Sequence, residues 1–190
     1  WINYNINILF MKITKNNSLL LIIDIQEKLF PFIYNNEDLK DRTKKLIEGC
    51  KVLGLKTIVT EQYTKGLGFT IPSLKESLEG ITPLEKTQFS CCGSIGIDDI
   101  LKSEGKNFII IAGIEAHVCV LQTVIDLCNM GYTPVIVDDC VSSRNINDKT
   151  VAIERMKREG AIVTTYESIL FELLEDSKSP EFKAISKIVK

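Results

Sequence analysis

Five apolar residues in a row, Phe108-Ile-Ile-Ile-Ala112, stop at Gly113, and from Cys119 an amphipathic run leads to Met130. A continuous apolar run of this kind predicts a strand buried on both faces, ended by the glycine. Val120, Val124, Leu127 and Cys128 fall at helical spacing, which predicts a helix after it. Cys119 is therefore expected where a strand hands over to a helix N-terminus. Orphan N–H groups and the positive dipole end stabilise a thiolate at such a place. Two readings of Cys119 stay open from this stretch: a nucleophile, or a small buried cysteine packed under a helix.

The rest of the chain repeats the pattern. Ser18 to Asp24 is a second buried-strand run, ending in a carboxylate with Gln26 two residues on. An acid at a strand's C-terminal end suits catalysis, and equally suits a cap for the next segment. Leu39, Thr43, Leu46, Ile47 and Cys50 line one face of a helix expected from Asn36 to Leu53 and closed by Gly54. Thr57 to Thr60 reads as a short strand. The glycines of E-Q-Y-T-K-G-L-G, Glu61 to Gly68, mark a loop after it. Pro72 to Leu78 reads as a short helix and Ile81 to Leu84 as a weak strand, so Lys86 is expected just past a strand end. A lone lysine at such a position is usually a solvated surface group. Phe89 to Gly96 reads as a loop and Ile97 to Glu104 as a helix.

Beyond the central pair, Thr133 to Val137 reads as a strand ending at Asp138-Asp139-Cys140, and Asn147 to Glu159 as a helix. Ala161 to Thr164 is the last expected strand and Tyr166 to Leu174 a helix, with a final helix opening at Ser179-Pro180. Strands alternating with helices predict a three-layer α/β sandwich around a parallel sheet. Right-handed crossovers and double winding give six strands in the order 3-2-1-4-5-6. That order sets the first and fourth strands side by side. Asp24 and Cys119, distant in sequence, should then meet in the crevice at the switch point.

Length and composition narrow the function classes. A chain of 190 residues suits one domain, taken here as residues 11–190. Trp1 to Phe10 reads as an upstream extension, with Met11 a plausible start and no basic leader region before it; a short signal sequence is the second reading. A net charge of −2 with no basic stripe argues against nucleic acid. No apolar run is long enough to span a bilayer. The six cysteines are scattered, which fits reduced thiols in the cytoplasm better than a disulfide framework. Cys91-Cys92 lacks zinc spacing, and His117 is the only histidine, so no metal site and no cofactor are expected.

Four stretches together resemble the isochorismatase-like cysteine hydrolases: L-L-I-I-D-I-Q at Leu20 to Gln26, E-K-T-Q-F-S at Glu85 to Ser90, A-G-I-E-A-H-V-C-V-L-Q-T at Ala112 to Thr123, and V-I-V-D-D-C-V-S-S-R at Val135 to Arg144. The resemblance covers nearly everything from Ser18 to Leu174. It implies a triad of Asp24, Lys86 and Cys119, and a cis peptide at Ile114–Glu115. It also implies an oxyanion hole made by the backbone N–H groups of Glu115 and Cys119. The chemistry would be hydrolysis of a small-molecule C–N bond. Asp24 takes the thiol proton, Lys86 and the helix N-terminus stabilise the thiolate, and a thioester forms on Cys119.

Departures from the family narrow the resemblance. Nicotinamidases carry an Asp and several His as metal ligands after the second strand, and Glu61 to Gly68 holds no histidine. The name-giving isochorismatases cleave a vinyl ether and lack the cysteine. The segment looks like the metal-free isochorismatase-domain subgroup, in which Glu61 and Gln62 would face the pocket. Gln26, Phe89 and His117 are further pocket candidates, His117 equally a packing residue. Relatives of this kind commonly form homo-oligomers. Rival readings are an idle scaffold or binding protein of the same fold, a nicotinamidase-like amidase, and a redox-sensing thiol. The last needs a resolving cysteine. Cys128 is more than two helical turns away, and Cys50, Cys91, Cys92 and Cys140 read as structural or incidental.

Overall fold

The computed structural model describes residues 12–93 and 96–190; the expected extension Trp1 to Phe10 lies outside them. Six strands form the sheet: β1 Ser18–Ile23, β2 Thr57–Gln62, β3 Leu84–Lys86, β4 Phe108–Ile114, β5 Thr133–Ser142 and β6 Ile162–Thr164. Their order is β3-β2-β1-β4-β5-β6 and every pairing is parallel, the doubly wound order expected from the sequence. The helices are α1 Asn36–Val52, α2 Thr64–Leu67, α3 Pro72–Lys75, α4 Ile97–Glu104, α5 Leu121–Asn129, α6 Ile146–Arg158, α7 Tyr166–Leu174 and α8 Phe182–Val189.

The helices cover both faces of the sheet, which is why its central strands are apolar on both. Leu20, Ile22, Val59, Ile110 and Val137 pack with α1, α7 and α8 on one face. Leu19, Leu21, Ile23, Ile58, Ile109 and Ile136 pack with α4, α5 and α6 on the other. Side chains alternate between faces along each strand, and β1 is buried along its whole length on both.

Several boundaries differ from the sequence reading. Gly113 does not end β4, which continues to Ile114. A Cβ at Gly113 would stand 2.2 Å from the Ile23 carbonyl oxygen, and its φ is +138°. Only glycine lets β4 run on that close to β1. Across the sheet the β4–β5 register jumps from Ile111↔Ile136 to Gly113↔Val141, a bulge that carries β5 on to Ser142. The weak strand sits later than expected, so Lys86 is the last residue of β3 rather than a residue beyond it. Glu61 and Gln62 belong to β2, and Thr64–Leu67 is a short helix, where a loop was expected. The last helix begins at Phe182, two residues after Pro180.

Candidate active site

The site lies at the C-terminal edge of the sheet, where β1 and β4 diverge. Asp24 follows β1 with a left-handed backbone, φ 51°, a conformation that short polar residues accept more easily than branched ones. Its N–H donates to the Thr60 carbonyl at 3.2 Å. The carboxylate is sealed from solvent and held on both sides. Oδ1 accepts from Thr60 Oγ1 at 2.7 Å and Oδ2 from Lys86 Nζ at 2.6 Å.

Lys86 is the opposite of a solvated surface lysine, with its side chain wholly buried. Besides Asp24, its ammonium donates to Gln62 Oε1 at 2.8 Å, the Phe89 carbonyl at 3.1 Å and the Gln88 carbonyl at 3.2 Å. Three N–H donors are thus shared among four acceptors, with none left over for a neighbouring sulfur. Burial of a charge costs several kcal/mol unless it is paired and hydrogen-bonded. β2, β3 and the turn after β3 together satisfy that condition here.

Cys119 is 6% exposed. It lies in a π-helical turn, Ala116–Val120, that leads from β4 into α5. Its carbonyl accepts from Thr123 Oγ1 at 2.7 Å. Burial pushes the Cys119 thiol well above the ordinary cysteine range, and the negative charge of Asp24 raises it further. Lys86 pulls the other way without cancelling them. The sequence reading assigns Lys86 and the helix N-terminus the task of stabilising the thiolate once Asp24 has taken its proton. The ammonium meant to stabilise it is engaged by Asp24 and three other acceptors, so the resting group is a thiol beside a carboxylate.

The Ile114–Glu115 peptide is cis. The Glu115 side chain accepts from Arg144 Nε at 2.8 Å, at the surface. His117 places Nδ1 2.9 Å from Ser143 Oγ and lines a groove against α6 with Leu121 and Val151.

The other pocket candidates divide. Gln62 belongs to the cluster through Lys86, and its Nε2 donates to the Thr87 carbonyl at 2.7 Å. Phe89 joins it through its carbonyl while its ring stays 53% exposed. Gln26 is a correction: its amide is a backbone clamp, donating to the Gln62 and Gly68 carbonyls and accepting from the Gln62 N–H. Glu61 is another correction. Its carboxylate holds the Thr70 N–H and hydroxyl, each at 2.7 Å, beside a separate cavity of about 430 Å³ lined by Phe69, Lys75 and Leu78. Neighbours on a strand point to opposite faces, so Glu61 and Gln62 cannot both face one pocket.

Two residues of the cluster escaped the sequence reading. Thr60 bonds Asp24 directly. Cys91, read as incidental, is fully buried with Sγ 3.8 Å from Thr60 Oγ1. Its N–H donates to Thr123 Oγ1 at 3.0 Å, so one hydroxyl ties Cys91 to the Cys119 carbonyl. Thr60 could have been found from the spacing: two positions before Gln62, it shares that residue's face once β2 is extended. Among the described residues, no group of three or more His, Cys, Asp or Glu side chains is placed to hold a metal ion.

Known proteins resemble this chain in sequence and in fold. Residues 18–168 match the isochorismatase domain model. The chain is 43% identical over 178 residues to isochorismatase family protein 1A of Dictyostelium discoideum, covering 91% of this chain and 86% of that one. It is 37% identical over 179 residues to isochorismatase domain-containing protein 2 of Danio rerio, covering 94% and 89%. The solved structure of the MAR1 ribonuclease from Caenorhabditis elegans superposes with a TM-score of 0.90 at 41% identity, covering 94% and 92%. From β1 into α7, then, the chain belongs to the isochorismatase-domain family.

Proposed function

We propose that the protein is a cysteine hydrolase that cleaves a C–N bond of a small molecule through a thioester on Cys119. The observation that carries this reading is the buried Asp24–Lys86 pair at 2.6 Å, whose two charges both act on the nearly sealed thiol of Cys119 at the head of a helix. In this reading Asp24 takes the thiol proton as sulfur attacks the carbonyl carbon. The N–H groups of Glu115 and Cys119 hold the developing oxyanion. Asp24 returns the proton to the leaving amine, and water then releases the acid from the thioester. Lys86 pairs with the Asp24 carboxylate before the first proton transfer and after the second, a role its hydrogen bonds support better than direct thiolate stabilisation.

The reaction needs no metal in this reading. Both Asp24 oxygens already accept from Thr60 and Lys86, and the segment from Glu61 to Gly68 offers no imidazole. The C. elegans protein is described as a ribonuclease. For this chain the charge favours a small molecule over RNA, since the net charge is −2 and the one lysine of the site is fully engaged. We also propose that copies associate, with the exposed Ile146 and Val151 of α6 as the apolar surface that would be covered.

The test is a screen of small amides and carbamates for amine or ammonia release, with and without chelator. The reading expects turnover of at least one member, unaffected by chelator. Turnover that depends on a stoichiometric metal, or that releases nucleotides from RNA and nothing from amides, would replace it.

A further inference from the structure

The hydroxyl of Thr60 has one proton and two neighbours. One is Asp24 Oδ1 at 2.7 Å, and the other is Cys91 Sγ at 3.8 Å. The Asp24 carboxylate, paired with Lys86, can only accept. The Thr60 proton therefore points at Asp24, and the Cys91 thiol must donate to the Thr60 oxygen. Burial pushes the Cys91 thiol up to about 11, so its proton is in place at neutral pH. All three groups are sealed from water, where hydrogen bonds in a chain polarise one another.

We propose that Cys91 and Thr60 form a directional relay, Cys91 S–H to Thr60 O–H to Asp24 Oδ1, that positions Asp24 and restrains its strength as a base. Neither is a catalytic residue, since both act through Asp24. The proposal rests on the hydrolase reading for its consequence and on the hydrogen bonds for its existence. The relay opposes Lys86 across the carboxylate, so each oxygen has one fixed donor and the lone pairs left over are those available to Cys119. The other charged or titratable groups on the elements around Asp24 are held elsewhere: Glu61 by Thr70, Glu115 by Arg144 and His117 by Ser143.

A donor aimed at a carboxylate favours its charged form, and removing it moves the titration upward. The experiment follows the carboxyl carbon of Asp24 by NMR in protein labelled with carboxyl-13C aspartate, assigned by its loss in Asp24→Asn. Thr60→Val should move the titration midpoint up relative to the parent, and Thr60→Ser should restore it. Cys91→Ala should move it the same way by less, and Cys91→Ser should restore it. The Cys91 pair decides the matter if Thr60→Val does not fold. A midpoint that stays put in Cys91→Ala, or in Thr60→Val with only the melting temperature lowered, overturns the relay. Amide turnover is measured alongside. A shifted midpoint in a protein without turnover leaves the relay standing and removes the hydrolase reading. An unshifted midpoint in an active enzyme does the reverse.

Discussion

Lys86 Nζ stands 2.6 Å from Asp24 Oδ2 with neither side chain reaching solvent. Breaking such a buried pair from one side leaves an uncompensated charge in low dielectric, at a cost of about 3–5 kcal/mol. Lys86→Met should therefore lower unfolding stability by about that amount. Adding Asp24→Asn should recover part of the loss, because the stranded carboxylate is gone. Denaturant titration of the two singles and the double checks this. Additive losses would mean that the two groups do not act as a pair.

The same pairing controls the nucleophile's resting state. Burial and Asp24 both raise the Cys119 thiol, and Lys86 lowers it. Asp24→Asn removes a raising charge, so alkylation of Cys119 by iodoacetamide should move to lower pH. Lys86→Met should move it to higher pH. Peptide mapping across a pH series reads both. The result would be a variant with a more easily ionised thiol and no turnover. Faster alkylation in Lys86→Met would contradict the assignment.

Other buried thiols give the stability a sign at alkaline pH. Burial pushes Cys50 up to about 12 and Cys91 up to about 11, while an unfolded cysteine titrates near ~8.5. The folded state holds protons that the unfolded state has released, so stability is full below the unfolded value and falls as pH rises from there toward 11. Each such thiol contributes a slope of about 1.4 kcal/mol per pH unit in that window. Unfolding free energies measured from pH 7 to 10.5 in the parent and in Cys50→Ala should show a shallower alkaline decline in the variant.

Much of this was legible because the central strands are covered on both faces. Buried runs ending in Asp24 and Gly113, read with the winding rule, set the acid and the thiol side by side. What the sequence did not show follows from close backbone contacts and from alternation. Gly113 reads as a stop, yet it continues β4 against Ile23, a contact made by a strand far away in sequence. Reading Glu61 to Gly68 as a loop left alternation unapplied, so Glu61 was grouped with Gln62 and Thr60 passed over. Cys91 lies in a turn without periodicity, and only its hydrogen bonds to Thr60 and Thr123 reveal its place. From its own stretch Lys86 reads as a surface lysine, and only the family resemblance sets it in the site, because no sequence pattern shows that Gln62, Gln88 and Phe89 converge on its ammonium.

Gly113→Ala tests that close contact. The added Cβ would meet the Ile23 backbone at 2.2 Å in a φ of +138°, and neither strand can shift without disturbing the pairing of the other. A loss of about 3 kcal/mol, at the top of the ordinary range for one substitution, is expected in thermal or denaturant unfolding. A loss within 0.5 kcal/mol of zero, the range of an ordinary surface change, would show that the strands separate more easily than the register implies.

Covalent catalysis at Cys119 is tested most directly by intact-protein mass spectrometry, quenched during turnover of an amide identified by the screen. The parent should gain the mass of the acyl group, mapped to the Cys119 peptide, and lose it as substrate runs out. Cys119→Ser and Asp24→Asn should carry no adduct and lose turnover by about a thousandfold or more. Hydrolysis by Cys119→Ser at the parental rate, with no acyl mass on the parent at any time point, would contradict the account.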